Sequence, residues 1–342
     1  MKKILLILLI IMVAVTGCSG KAAAEGKNDE PEVKPEEIIP EKEVFVKEFE
    51  GSFIVSVDNH IKAYPQSGLD KADQVIELLA EGGITRFLAF YDSYHAEKIG
   101  PVRSARYYFV EIVKGYPSAF AHAGGNTDAL NLVPYHKIMD LDEIYNSGAA
   151  FYRTKDRKPP HNLYTTTELM LKNANAKKYP IKSLEGLPIG EVSGGSKADI
   201  IDIPYSKKTS YYHVVTYMFE DGKFWRYVNG KAFETDQKVK IFADNLILME
   251  TPTRTVVKEE VQSEMNVFGS GKAVFFIDGL YYEGTWEKAK AADPFTFQYN
   301  GEPMKFKEGK TWIQVVPNFS EVTFKAKEAV ASPSAPAATA SK

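Results

Sequence analysis

Only one cysteine, Cys18, occurs in the 342-residue chain, and it stands just behind an apolar run. Lys2 and Lys3 precede that run, Ile4 to Val15, and small or polar residues follow it. This is the order of an export signal: a positive n-region, an apolar h-region and a cleavage site. The run is too short to cross a bilayer, which takes about 20 apolar residues. An exported body with no cysteine beyond Cys18 can form no disulfide and no thiolate site, so packing must hold it together. About 325 residues remain behind the signal, enough for two ordinary domains with a substantial core.

Val15-Thr16-Gly17-Cys18 resembles a lipobox, in which diacylglycerol joins the thiol, the signal is cut and Cys18 becomes the first residue. A single acyl chain anchors marginally, whereas two on one residue hold a protein on a membrane. The alternative is an ordinary signal peptide that ends near a cysteine. The expectation is an extracytoplasmic protein, lipid-anchored to the cell membrane through Cys18. A net charge of −3 and a pI near 6.1 supply no general basic field for nucleic acid.

Residues 18–45 are mostly Lys, Glu, Pro and Ala with little to bury, which describes a disordered, self-repelling tether. Residues 327–342 form a second such segment, of Ser, Ala and Pro. Between them the pattern changes near residue 190. In residues 46–190 strand-like runs (Phe53 to Val57, Thr85 to Tyr91, Ala119 to Ala123) alternate with helix-like runs (Leu69 to Ala80, Val102 to Val113, Thr127 to Leu132, Thr167 to Ala176). That alternation predicts an α/β lobe with a mainly parallel sheet. In residues 197–326, Asp221-Gly222, Asn229-Gly230 and Asp278-Gly279 separate strand-like runs and tolerate the positive φ of hairpin turns. The expected second lobe is antiparallel β, a small sandwich or open barrel, giving an α+β fold overall.

In a parallel sheet, ligands sit beyond the carboxyl ends of the strands. Asp58-Asn59-His60, Asp92-Ser93-Tyr94 and His122-Ala123-Gly124-Gly125-Asn126 run out there on this reading. Gly100-Pro101-Val102-Arg103-Ser104-Ala105-Arg106 is the sharpest constellation. It reads as a forced turn and then a helix start, with Arg103 and Arg106 three apart on one face. Such a site suits a carboxylate, a phosphate or an acidic sugar. Alternatively the arginines pair with acids such as Asp73 or Glu111 and simply join helix to sheet. Arginine opposes the dipole at a helix start, so either way an anionic partner is implied.

The paired Gly124 and Gly125 could bring backbone close to a ligand, and His122 could serve as acid or base. The bland reading is a tight turn with a satisfied buried histidine. His161-Asn162, after Pro159-Pro160, is a rigid approach to a polar pair or a helix entry with Thr165 and Glu168 as its capping box. Ser67 and Asp70 fit another capping box. Glu81 is a candidate glycosidic acid if burial raises its pKa, against a structural pair with Arg86. A parallel sheet would set Glu81 and Arg86 at the edge opposite His122. No His-x-His or His-x-x-x-His pair occurs, so no metal is expected unless His60, His122 and His161 converge, and no cofactor is expected. Gly309-Lys310-Thr311 lacks the first glycine of a phosphate loop. Tyr211, Tyr212, Trp225, Tyr281, Tyr282 and Trp286 alternate along strands as core residues or as a sugar-stacking face.

The segments VDNHIKAYPQSGLDKADQVIELLAEGGITRFLAF, GPVRSARYYF, FAHAGG and PPHNLYT, with GSGKAVFFIDG, YYEGTW and GKTWIQVVP later, resemble those of the YerB-like lipoproteins. The resemblance spans about residues 50 to 320. It implies a bacterial, mostly Gram-positive, envelope protein with paired N- and C-terminal domains, and it carries no assigned reaction. Arg103, Arg106, Glu81, His122 and His161 fall on family motifs, while Tyr64 stands where the family is expected to have arginine.

Three readings of function are open. In the first, a membrane lipoprotein binds peptidoglycan, another anionic wall component or an envelope protein through a crevice of Asn59, Arg103, Ser104, Arg106, Gly124, Gly125, Asn126, His161 and Asn162. In the second, an enzyme acts on peptidoglycan strands or another anionic envelope polymer, with Glu81 or His122 as acid or base and the arginines holding carboxylate or phosphate. The third is a solute-binding lipoprotein, weakened by dissimilar lobes and the lack of a hinge-related repeat. Cys18→Ala is expected to leave the protein unlipidated and to move it from the membrane to the soluble fraction. Unchanged retention in fractionated cells would contradict the lipobox reading.

Overall fold

The computed structural model describes residues 48–327 apart from residues 210 and 258–260. The signal, Cys18, the tether 18–45 and the tail beyond Lys327 lie outside them. The fold is α+β, mostly sheet, with no closed barrel among the described residues. Two sheets pack face to face.

The larger sheet is mixed. At its N-terminal part are β1 (Phe53–Asp58), β2 (Gln74–Glu81), β3 (Ile84–Tyr91), β4 (Ala119–His122) and β5 (Met139–Asp142), in the order β2, β3, β1, β4, β5. β1, β4 and β5 are parallel, while β3 runs antiparallel to both of its neighbours. Beyond β2 the sheet continues through Thr311–Val316, Asn245–Glu250, Gly269–Ile277 and Leu280–Lys288, so chain from both halves of the sequence shares one sheet. The smaller sheet is antiparallel and centres on Ile200–Lys208, Tyr211–Glu220 and Lys223–Val228. Its Ile201, Val215 and Phe224 share a core with Val55, Val75 and Phe87. The other face of the larger sheet is covered by α1 (Tyr107–Val113) and α2 (Thr127–Tyr135), through Tyr108, Phe109, Ile112 and Ala129 against Ile54, Ile76, Leu88 and Phe90. The last helix, α3 (Thr167–Ala176), joins the first core through Met170 and Ala174.

Two predicted helices are corrected. Leu69 to Ala80 is a short 3-10 turn followed by β2. Val75 and Leu79 face one core while Ile76 and Leu78 face the other, and a strand buried on both faces shows no polar alternation to distinguish it from a helix. The helix expected from Val102 begins only at Tyr107. Before it, the N–H groups of Val102, Arg103 and Ala105 bond to Leu163, Ser56 and Gly124 instead of starting a helical turn. Ser67 is no cap: its hydroxyl donates to Asp236 of the C-terminal half, and the 3-10 turn starts from Gly68. The cap of α3 is Thr166, one residue after the expected Thr165.

Glu77 of β2 ties the two sheets together. It is fully buried and accepts from Asn59 (2.9 Å), Thr85 (2.7 Å) and, across the interface, Arg226 (2.7 Å) and His213 (3.2 Å). Burial works to raise its pKa, but Arg226, His213 and Thr85 overcome this and hold the carboxyl at about 2, below the usual 4.5. The stabilisation from this group is therefore complete above about pH 4.5 and is lost as pH falls towards 2. Removing it strands Arg226 in the core, so Glu77→Ala is expected to cost about 3–5 kcal/mol by denaturant melting. Glu77→Gln is expected to weaken the protein at neutral pH and flatten the acid limb of its stability profile. An unchanged acid limb would show that Glu77 does not govern it.

Candidate functional site

β4 pairs with β1 only over Phe53 to Val55, which leaves the end of β1 without a neighbour strand on that side. Residues 101–103 fill the place: Asp58 N–H donates to Pro101 O (2.8 Å) and Arg103 N–H to Ser56 O (2.9 Å). On their far side Val102 N–H donates to Leu163 O (2.7 Å), which draws in the segment carrying His161. Three stretches distant in sequence thus bring Asp58, Arg103 and His161 to one edge.

Asp58 is buried, and its Oδ1 accepts the N–H of His60 at 2.9 Å. Its Oδ2 lies 2.7 Å from His161 Nδ1 and 3.3 Å from Arg103 Nε. Burial pushes this carboxyl's pKa up, but His161, Arg103 and Arg86 prevail and keep it below the ordinary value. The His60 ring stacks on His161 with centroids 5.3 Å apart, and Tyr211 stacks on His60 at 5.9 Å. His60 Nδ1 accepts from Lys62 N–H, and burial lowers its pKa despite the nearby Asp58.

Glu81 lies at this same edge, contrary to the expected opposite one. The strand identity of β2 makes β2 and β3 a hairpin around Gly82 and Gly83, so the end of β2 and the start of β3 fall beside the end of β1. Its two oxygens take Arg86 and Arg106, each at 2.8 Å. Burial raises its pKa, but the two arginines lower it more, so Glu81 stays ionised and has no proton to donate as a glycosidic acid. Arg106 is buried on Glu81 and Arg103 turns to Asp58, so the two do not share a helix face. Neither pairs with Asp73 or Glu111: Asp73 accepts the backbone of Asp92 and Ser93, and Glu111 meets His136.

His122 is fully buried, with Nδ1 on Gly124 O and Nε2 on Asp140, each at 2.8 Å. Burial lowers its pKa, but Asp140 and then Asp142 raise it above the ordinary value; both nitrogens face acceptors, the Gly124 carbonyl and the Asp140 carboxylate, so the ring is held by structural bonds. With Asp140 and Asp142 it is the group of side chains whose spacing could suit a metal. One ligand atom from each lies within 4.8 Å of the others, so the spacing admits an ion, while the imidazole bonds to Gly124 O and Asp140 and the Asp142 carboxylate takes the Gly124 and Ile144 N–H groups. Gly124 is also committed, its N–H to Asp142 and its O to Ala105, so it forms no anion nest. Gly125 packs against Ala105, and Asn126 caps α2 by accepting from Ala129 N–H. Asn59 and Asn162 are buried in structural bonds, to Glu77 and Thr85 and to Thr154. Ser104 binds Arg86 through its carbonyl.

The solvent-reaching part of the site therefore reduces to Arg103, His161 and His60, with Asp58 behind them. Asp58 and Glu77 were not among the predicted ligands; a carboxylate set between apolar residues in QVIELLA was the available signal for the second. Tyr211 forms one wall, whereas Trp286 and Tyr282 are core residues. A cavity of about 590 Å³ lies at the opposite end of β2 and β3, but Tyr116, Leu187, Phe295 and Phe306 give it apolar walls with no imidazole or guanidinium.

Residues 45–180 match the model described as "Protein of unknown function (DUF3048) N-terminal domain", and residues 201–313 match the DUF3048 C-terminal domain. The chain is 31% identical over 284 residues to the protein named "Putative lipoprotein YerB" of Bacillus subtilis (strain 168), covering 81% of this chain and 84% of that one. It is also similar to the crystal structure of the YerB protein from Bacillus subtilis, with a TM-score of 0.74 and 30% identity over 81% of this chain and 94% of that chain.

Proposed function

The chain belongs to the family defined by paired DUF3048 N- and C-terminal domains, and from that membership we propose that it is a lipid-anchored envelope protein whose charged sheet edge binds an anionic cell-wall polymer. Export and anchoring through Cys18 put the body beside such polymers. The similarity to a protein named as a lipoprotein supports this side of the reading.

Arg103 is the observation that carries the binding side. Its buried Nε faces Asp58 in a 3.3 Å ion pair, while the side chain as a whole keeps 23% of its exposure. At this edge the guanidiniums of Arg86, Arg103 and Arg106 lie beside the carboxylates of Asp58 and Glu81. Arginine binds phosphate and carboxylate oxygens with geometric selectivity, and His60, which accepts from Lys62 N–H at Nδ1, adds a donor at Nε2. A site open along a sheet edge suits a chain-like ligand. The solute-binding reading has less support, because Thr311–Val316 pairs directly with β2 inside one sheet, where a hinged pair of lobes would need a flexible joint.

Arg103→Ala is expected to weaken cosedimentation with purified cell walls by about 1.5 to 3 kcal/mol, roughly 10- to 150-fold, with little change in melting temperature. A large melting shift with unchanged cosedimentation would make Arg103 a structural residue and overturn the reading.

A further inference from the structure

Beside Arg103 the structure holds an imidazole whose second nitrogen is left over. Asp58 is an ionised acceptor, so the 2.7 Å contact requires the proton on His161 Nδ1. In the neutral ring Nε2 then carries the lone pair, and no partner for it is found among the described residues. The His161 side chain is 16% exposed and Asp58 only 3%, so the carboxylate orients the ring from within while the ring reaches solvent. A buried carboxylate fixing the tautomer of a general base is the arrangement that hydrolytic histidines require. His60, stacked on His161, accepts from Lys62 at Nδ1 and so carries its ring proton on Nε2 as a donor.

We infer that this edge hydrolyses phosphodiesters in the bound polymer, with His161 as general base and Arg103 and His60 holding the phosphoryl oxygens. The inference rests on the anion-binding reading and adds a reaction to it. The neighbouring chemistry selects the substrate class. Glycosidic cleavage needs a protonated carboxyl, and both carboxyls here are salt-bridged anions. Acyl transfer needs free backbone donors for an oxyanion, and the Gly124 N–H is spent on Asp142. Phosphoryl transfer asks mainly for positioning and positive charge around an in-line attack.

The atoms balance in one displacement. His161 Nε2 takes a proton from water as the water oxygen bonds to phosphorus, and the bond from phosphorus to the alcohol oxygen breaks. The leaving alkoxide on the opposite side of phosphorus takes a proton from solvent water, and the imidazolium, stabilised by Asp58, releases its proton to solvent. The products are a phosphomonoester and an alcohol, and neutral His161 is regenerated. Charge that gathers on the non-bridging oxygens meets Arg103 and the N–H of His60.

Hydrolysis of bis(p-nitrophenyl) phosphate by the full chain tests this, alongside calorimetric titration with inorganic phosphate. The wild type is expected to turn over the diester. His161→Gly is expected to lose 10²- to 10⁴-fold in kcat with phosphate affinity changed only a few-fold, and added imidazole is expected to restore part of the rate. Asp58→Asn is expected to lower kcat in the same direction by releasing the tautomer. Phosphate binding without turnover in the wild type would overturn the hydrolase inference and leave the anion site standing. Absence of phosphate binding would overturn both.

Discussion

A single buried carboxylate organises the molecule. Glu77 accepts from groups on both sheets, and the two charges it joins most closely, its own and that of Arg226, are without solvent. A buried pair of this kind adds little stability over an apolar pair of the same volume, but it tolerates only one registration of the sheets. Asn59 donates to Glu77 and accepts from Gln66, so the residue directly after Asp58 is pinned by the same network. The position of the charged edge is thus inherited from the joint between the sheets.

The edge itself follows from where strand pairing stops. β4 is too short to accompany β1 to its end, and the segment from Pro101 to Arg103 completes the ladder. Its backbone bonds are satisfied by neighbouring strands and not by a helix, so Arg103 is presented sideways next to Asp58. Arg86 and Arg106 are held inward by Glu81, and they form the supporting layer of charge behind Arg103 and His161. His122 closes the adjoining turn as a doubly bonded clasp between Asp140 and Gly124.

Parts of this were legible in the sequence because they are local. Asp221, Asn229 and Asp278 adopt positive φ before Gly222, Gly230 and Gly279, as hairpin dipeptides do, and Thr167–Ala176 is a helix over the expected span. The strand β2 was not legible. Its apolar residues are needed on both faces, and Val75, Ile76, Leu78 and Leu79 fit a helical spacing as well as a doubly buried strand. That one misreading displaced Glu81 and Arg86 to the wrong edge. The pairing of Asp58 with His161 was illegible for a different reason: it spans 103 residues and depends on the intervening ladder, which no local pattern encodes. Arg103 was recognisable as a cation seeking an anion, but which acid each arginine would take was decided by the tertiary fold.

The central claim is that His161 and His60 present their outer nitrogens to an anion held by Arg103. Imidazole ¹⁵N NMR of the full chain during titration with inorganic phosphate addresses it directly. The account predicts a His161 proton on Nδ1 facing Asp58, and phosphate-dependent shifts at Nε2 of both histidines that disappear in Arg103→Ala. A His161 tautomer with the proton on Nε2, or phosphate shifts confined to other residues, would contradict it.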